Sequence, residues 1–205
     1  FNIESNFIKG LRVTDKNTIN IVEDVLIGFN KEIVDALSEL SCKAKKITSR
    51  ENNIISVIQE NKNLGFVGAP TKINKDFLNE TIKFNEIPVV APLGLDKNNQ
   101  AFNINADTAA GFIAIELKAR RLMIISDVEG VLDRQKKLIP EINSDKAKEL
   151  IDQEVISGGM IPKINNCLDV ASNGVKGVVI IDGRKNHSIL FELLSDNGSG
   201  TLIRK

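Results

Sequence analysis

Two cysteines, five prolines, one histidine and no net charge set the first limits on this 205-residue chain, whose 27 Lys and Arg are balanced by 27 Asp and Glu. Cys42 and Cys167 stand far apart with no neighbouring His or Cys, which excludes a zinc site and a disulfide framework and makes a reducing cytoplasm the expectation. Zero net charge provides no field to gather the chain on nucleic acid or an anionic membrane, so any anion site must be local. No apolar run approaches the roughly 18 residues that span a bilayer. His187 is the only histidine and no paired Ser or Cys motif accompanies it, so a hydrolase triad lacks its parts; a surface or capping role is its default. The pattern GxxxxGK[ST] does not occur, and GSGTLI lacks the third glycine of a dinucleotide fingerprint, which removes the P-loop and the Rossmann cofactor site.

What is present is enough apolar matter for a core, 42% hydrophobic against 26% charged. Val22, Leu26, Phe29, Ile33, Leu37 and Leu40 recur at steps of three and four, predicting a long helix from Thr18 with one apolar stripe. Short strands over 54–58, 65–69 and 71–73, broken by Gly and Pro, predict a hairpin-rich insert. Asn74 caps a short helix, and 87–93 reads as one continuous strand. Helices over 107–117, 145–153, 161–171 and 187–194 then alternate with strands over 122–126, 178–181 and 201–203. This βα alternation predicts an α/β fold, a mainly parallel central sheet covered by helices on both faces, with ligands at strand C-terminal ends. The expected boundary between two lobes lies near 118–121, giving 1–118 and 119–205.

Four segments carry groups suited to chemistry. In VISGGMIPKINN, Gly158 and Gly159 precede a helix with Pro162 in its first turn and Lys163 beside it; bare N–H groups, the helix dipole and an ammonium together suit a phosphate, while a glycine turn with a solvated lysine has the same spacing. In FNINAD, Asn103 and Asn105 alternate on an extended piece and Asp107 opens a helix, as a ligand group or as a plain cap. IISDVEGVLD places Ser126 and Asp127 at the end of a buried strand with Gly130 in the turn beyond, the position where α/β proteins hold nucleotides. Arg12 of GLRVTD follows Gly10 in a loop and is either a carboxylate partner or one more solvated cation.

Taken in order, GLRVTD, LGFVG, IPVVAPLG, NINADTAA, SDVEGVL, GGMIPK, DGRKNHSILFELL and GSGTLI resemble the acetylglutamate kinases of the amino acid kinase family from Lys9 onward. The resemblance implies an αβα fold whose N-terminal lobe holds N-acetyl-L-glutamate and whose C-terminal lobe holds ATP, with Mg²⁺ carried by the nucleotide. It implies that Arg12 grips the α-carboxylate and that Asn103, with Asn105, binds the same substrate. Lys163 stabilises the transferring phosphoryl group and Asp107 orients lysines. Ser126, Asp127, Val128, Gly130, Val131 and Leu132, with Val155, Ile156, Ser157, Gly159 and Met160, line the nucleotide. The stretch through His187, Glu192, Gly198 and Gly200 resembles part of the feedback site of arginine-sensitive members, so arginine is expected as an allosteric inhibitor. A dimer or hexamer in the cytoplasm is expected, without nucleic acid or membrane as partner.

The same resemblance marks departures. The family opens with a strand, a lysine followed by two glycines and a second glycine-rich phosphate loop, none of which occurs in these residues; the expectation is an N-terminally truncated chain, lacking its first strand or strands, with little or no turnover. AKKITSRENN stands where relatives carry a glycine-rich stretch with aspartate, and Ala69 where many carry glutamate. Another amino acid kinase, or a non-catalytic relative that binds nucleotide or arginine, are the alternative readings.

Overall fold

The Asp15 carboxylate accepts hydrogen bonds from the N–H groups of Asn17 (3.0 Å) and Thr18 (2.7 Å) and so starts the long helix two residues ahead of Thr18. The computed structural model describes residues 6–8, 11–196 and 198–205, and the chain divides into two compact units, residues 1–113 and 114–205. Gly10 of the GLRVTD segment lies outside the described residues.

The first unit begins with an antiparallel hairpin of β1 (Phe7–Ile8) and β2 (Leu11–Arg12), followed by α1 (Lys16–Glu39). The buried line of α1 departs from the predicted stripe. It runs through Ile19, Glu23 and Asn30, whereas Phe29 is 58% exposed. The two polar residues are buried because each has a partner: Glu23 accepts a forked pair of bonds from Arg50 at 2.7 and 2.8 Å, and Asn30 donates to the Val89 carbonyl at 2.8 Å. Apolar periodicity cannot register such residues.

Next come β3 (Ala44–Ile47), α2 (Ser49–Asn52), β4 (Ile55–Gln59), a 3-10 turn over Lys62–Leu64 and β5 (Gly68–Ile73). The strand runs through Pro70, which an edge position in the order β5-β4-β7-β8 tolerates, and the break expected there is present as a register shift, the pairing passing from Ser56 with Lys72 to Val57 with Pro70. Then follow α3 (Lys75–Lys83), capped by Asn74, β6 (Ile87–Val90), β7 (Leu93–Leu95), β8 (Ala101–Asn103) and α4 (Ala106–Glu116). The strand predicted over 87–93 is in fact two. The chain changes partners around Ala91 and Pro92: β6 runs parallel to β3, and β7 runs parallel to β4.

The second unit holds β9 (Leu122–Ser126), β10 (Glu141–Ile142), α5 (Ser144–Asp152), α6 (Met160–Ser172), β11 (Val178–Asp182), α7 (Ser188–Leu194) and β12 (Thr201–Ile203). Its sheet has the order β10-β12-β11-β9. All five residues of β11 are buried, as expected of a central strand, and it pairs in parallel with β9 from Leu122 to Ser126. Ile124, Ile142, Leu150, Ile164 and Ile180 join in one apolar core. The α/β class holds. Among the described residues its strands are mixed, with antiparallel pairs such as β4 with β5 and β7 with β8 where a hairpin joins sequence neighbours.

Candidate active site

In the first unit, two of the singled-out segments meet through Thr14, a residue of GLRVTD to which the sequence assigned no role. Thr14 is fully buried; its hydroxyl donates to the Arg12 carbonyl at 3.0 Å and accepts from Asn103 Nδ2 at 3.4 Å. Backbone bonds extend the joint, from Thr14 N–H to the Leu64 carbonyl (3.0 Å), from Phe66 N–H to the Thr14 carbonyl (2.7 Å) and from Asn103 N–H to the Phe66 carbonyl (2.9 Å). Arg12 and Asn103, 91 positions apart, are thus anchored to one threonine. Arg12 is an exposed residue at this joint.

Asn105 serves the helix that follows. Its Oδ1 accepts from the N–H (3.1 Å) and hydroxyl (3.3 Å) of Thr108, which makes Asn105 the cap of α4. The alternative that Asp107 is that cap therefore falls away. Asp107 stands instead in the first turn of α4, where a carboxylate is favoured by the helix dipole, and it is half-buried.

In the second unit, the turn after β9 is built around Gly130, at φ +134°, where an added Cβ would stand 2.5 Å from the Thr201 hydroxyl oxygen. That hydroxyl accepts from Val131 N–H at 2.8 Å and donates to the Ile139 carbonyl at 2.7 Å. Ile139 N–H returns to the Val131 carbonyl at 2.8 Å, and Leu132 bridges to Leu138. The segment 128–132 is thereby held from β12, by the threonine of GSGTLI, to which the sequence assigned no role. Ser126 Oγ and Asp127 Oδ1 lie 3.4 Å apart at the start of the turn.

The turn after β11 lies beside it. Gly183 N–H donates to the Ser126 carbonyl at 2.8 Å, and Lys185 Nζ stands 2.7 Å from Glu129 Oε2. Within that turn Asp182 is paired with Arg184, and hydrogen bonds from the Arg184 side chain hold its carboxyl down at about 2. The same bonds, with the attraction of Asp182, raise the Arg184 guanidinium above its ordinary range.

The third piece of this unit is the entry to α6. Ile156 is buried and fastens the segment, its N–H bonding the Leu150 carbonyl at 3.1 Å, while Val155 N–H bonds the same oxygen at 2.9 Å. Ser157, Gly158 and Gly159 are exposed beyond it, Met160 opens the helix, and Lys163 emerges half-buried one turn in. Gly159, at the cap position, carries no side-chain cap, and the space where its Cβ would stand is open for 4 Å. The N–H groups of Met160 and Ile161 are taken by the Ser157 and Gly158 carbonyls (3.2 and 3.3 Å) and Pro162 has none, so what the N-terminal end of this 13-residue helix offers a phosphate is its dipole and the nearby lysine.

The residues expected to bind arginine sit at another corner of the second unit. Glu192 is buried, its carboxylate accepting from Ser199 N–H at 2.9 Å and approached by Arg121 Nη1 at 3.4 Å. Gly198 lies just ahead of Ser199. Gly200 packs so closely on β11 that a Cβ would stand 2.0 Å from the Ile180 carbonyl oxygen. His187, exposed and left-handed at φ 61°, precedes α7 without a side-chain cap bond.

Set against known proteins, the chain matches the model of the amino acid kinase family over residues 1–182. It belongs to that family, a class of phosphotransferases that use ATP. It is 83% identical over 204 residues to the acetylglutamate kinase of Pelagibacter ubique, covering 100% of this chain and 71% of that one. It is 45% identical over 217 residues to the acetylglutamate kinase of Bradyrhizobium sp. strain ORS 278, covering 99% of this chain and 73% of that one. Its fold superposes on the crystal structure of smu.665 from Streptococcus mutans with a TM-score of 0.84 at 29% identity, over 98% of this chain and 78% of that one. Within the family the chain therefore stands among the acetylglutamate kinases.

Proposed function

We propose that this chain phosphorylates the γ-carboxylate of N-acetyl-L-glutamate with ATP, a step of arginine biosynthesis, and that its first unit receives the acceptor while its second holds the nucleotide. The observation that carries the division of labour is Thr14, which ties the Arg12 and Asn103 segments into one joint. A planar guanidinium pairs with a carboxylate through two parallel bonds, which suits Arg12 to the α-carboxylate, and the amide of Asn103 suits the polar remainder of the same molecule. The γ-carboxylate, with an ordinary pKa of about 4.3, is ionised at neutral pH, so no general base is needed.

One oxygen of that carboxylate attacks the γ-phosphorus as the bond to the β-phosphate bridging oxygen breaks, yielding an acyl phosphate and ADP. The barrier is mostly charge and alignment, so the protein's share is donors and cations placed in advance. In this reading Lys163 and the N-terminal end of α6 neutralise the transferring phosphoryl group, Asp107 is the orienting carboxylate, and segments 126–132 and 155–160 line the nucleotide. Among the described residues no three His, Cys, Asp or Glu side chains stand together as metal ligands. The divalent ion, magnesium in this proposal, enters on the ATP phosphates.

The reading extends to a cytoplasmic homo-oligomer, a dimer or hexamer, inhibited by arginine at the corner of His187, Glu192, Gly198 and Gly200; its support is the resemblance of the C-terminal segments. No helix among the described residues is long and apolar enough to cross a membrane. Calorimetric titration tests the substrate. N-acetyl-L-glutamate is expected to bind at least roughly tenfold more tightly than L-glutamate or L-aspartate, and Lys163→Met to weaken MgATP while leaving N-acetyl-L-glutamate unchanged. Equal affinity for acetylated and unacetylated glutamate would overturn the assignment.

A further inference from the structure

An arginine that selects a carboxylate must present the edge of its guanidinium, where the N–H donors lie, and must do so with a long side chain that loses rotamer freedom on binding. Arg12 occupies an exposed position on a two-residue strand, which by itself gives that side chain little support. The hairpin supplies a support from across the ladder. Phe7 is the direct partner of Arg12 in the β1–β2 register, and the Arg12 Cζ atom lies over the Phe7 ring, 4.8 Å from its centroid. The distance is inside the roughly 6 Å over which a cation is attracted to an aromatic face. Val13 N–H donates to the Asn6 carbonyl at 2.8 Å, which continues the pairing one step beyond the two residues. Phe7 remains 57% exposed, so its ring covers a guanidinium in place of a core.

We infer that Phe7 is a positioning residue for the acceptor site: the attraction of its ring holds the Arg12 guanidinium where the substrate carboxylate meets it. The two contacts do not compete, because stacking uses the face of the planar cation and bidentate hydrogen bonding uses its in-plane donors. A lysine at position 12 would gain the attraction but would present no fork. Leucine at position 7 would keep apolar bulk in the hairpin but would offer no ring. The inference rests on the assignment of Arg12 to the acceptor carboxylate.

The test is calorimetric titration of the chain and its Phe7→Tyr, Phe7→Leu, Phe7→Ala and Arg12→Lys variants with N-acetyl-L-glutamate and, separately, with MgATP. Tyr is expected to retain acceptor affinity, and Leu and Ala to weaken it about two- to fivefold, with MgATP affinity unchanged throughout. A second readout needs no ligand: the Arg12 side-chain protons should be shifted upfield by the ring in the unsubstituted chain and in Phe7→Tyr, and should lose that shift in Phe7→Leu. Undiminished binding by Phe7→Leu, alongside a loss in Arg12→Lys, would overturn the role of Phe7 and leave the acceptor site standing. No effect of Arg12→Lys, or no binding of N-acetyl-L-glutamate by the unsubstituted chain, would bring down the assignment of Arg12 and this inference with it.

Discussion

Asp182 receives Arg184 in a fork, Nε on Oδ1 and Nη2 on Oδ2 at 2.9 Å each, and the Arg184 backbone N–H adds a third bond to Oδ1 at 2.9 Å. The pair closes the turn after β11 on itself, while Gly183 and Lys185 on either side lace that turn to the one after β9. Both turns follow the C-terminal ends of neighbouring parallel strands, the place where open α/β sheets hold their ligands. In the proposed function, rigidity here bears on the nucleotide.

The fork predicts an acid limb of stability. The Arg184 side chain, and after it the Arg184 N–H, hold the Asp182 carboxyl at about 2 against an ordinary 3.8. A carboxyl whose pKa is depressed by folding contributes its full stabilisation above the ordinary value and loses it as the pH falls from there through the depressed one. Asp182→Asn removes the titration. Urea midpoints measured across that window should fall more steeply for the unsubstituted chain than for the variant; parallel falls would mean that the pair contributes nothing to the acid limb.

Thr201 predicts a link between stability and nucleotide affinity. Thr201→Val leaves the Val131 N–H and the Ile139 carbonyl without their partner, at a cost of about 1–3 kcal/mol, and releases the segment proposed to line the nucleotide. Chemical denaturation should show the loss, and titration with MgATP should show weaker binding. Thr201→Ser should restore both. A valine variant with full stability and full MgATP affinity would show the hydroxyl to be dispensable.

Two glycines should respond in opposite ways to the same methyl group. At Gly159 a Cβ meets nothing within 4 Å, so Gly159→Ala should change stability by no more than about 0.5 kcal/mol while standing where a phosphate approaches the backbone, lowering MgATP affinity roughly tenfold. At Gly200 the Cβ would stand 2.0 Å from the Ile180 carbonyl oxygen, so Gly200→Ala should destabilise the chain by about 3 kcal/mol or more. Thermal unfolding and nucleotide titration of both variants separate the two effects. Unchanged MgATP binding by Gly159→Ala would reduce the Gly158–Gly159 segment to a plain turn.

Local signals were read well where one residue decides the outcome. Asn74 caps α3 as its position before Phe77 and Leu78 suggests, β9 and β12 fall where their apolar runs lie, and α6 ends just before Gly174. Signals that depend on a distant neighbour were misread. Pro70 only shifts the register of β5 and does not end it, because among the described residues β5 is an edge strand, and the run from Ile87 to Leu93 serves two sheets because Ala91 and Pro92 pass it from β3 to β4. The choice between Asp107 and Asn105 as cap of α4 was open in FNINAD, since both can cap; the backbone settled it by turning Asn105 toward Thr108.

Composition and periodicity by themselves determined the α/β class and most of the elements, because each depends on residue type and near spacing, while the kind of chemistry was implied by the resemblance of the ordered motifs to a known family. Only the tertiary structure decided that Glu23 and Asn30 are buried, that Thr14 joins Arg12 to Asn103, that Thr201 holds the turn at Val131, and that the Phe7 ring lies beneath Arg12. The physical reason is common to all four. A buried polar group or an exposed ring acquires its meaning from a partner, and that partner is chosen by strand pairing and packing, which short-range pattern does not encode.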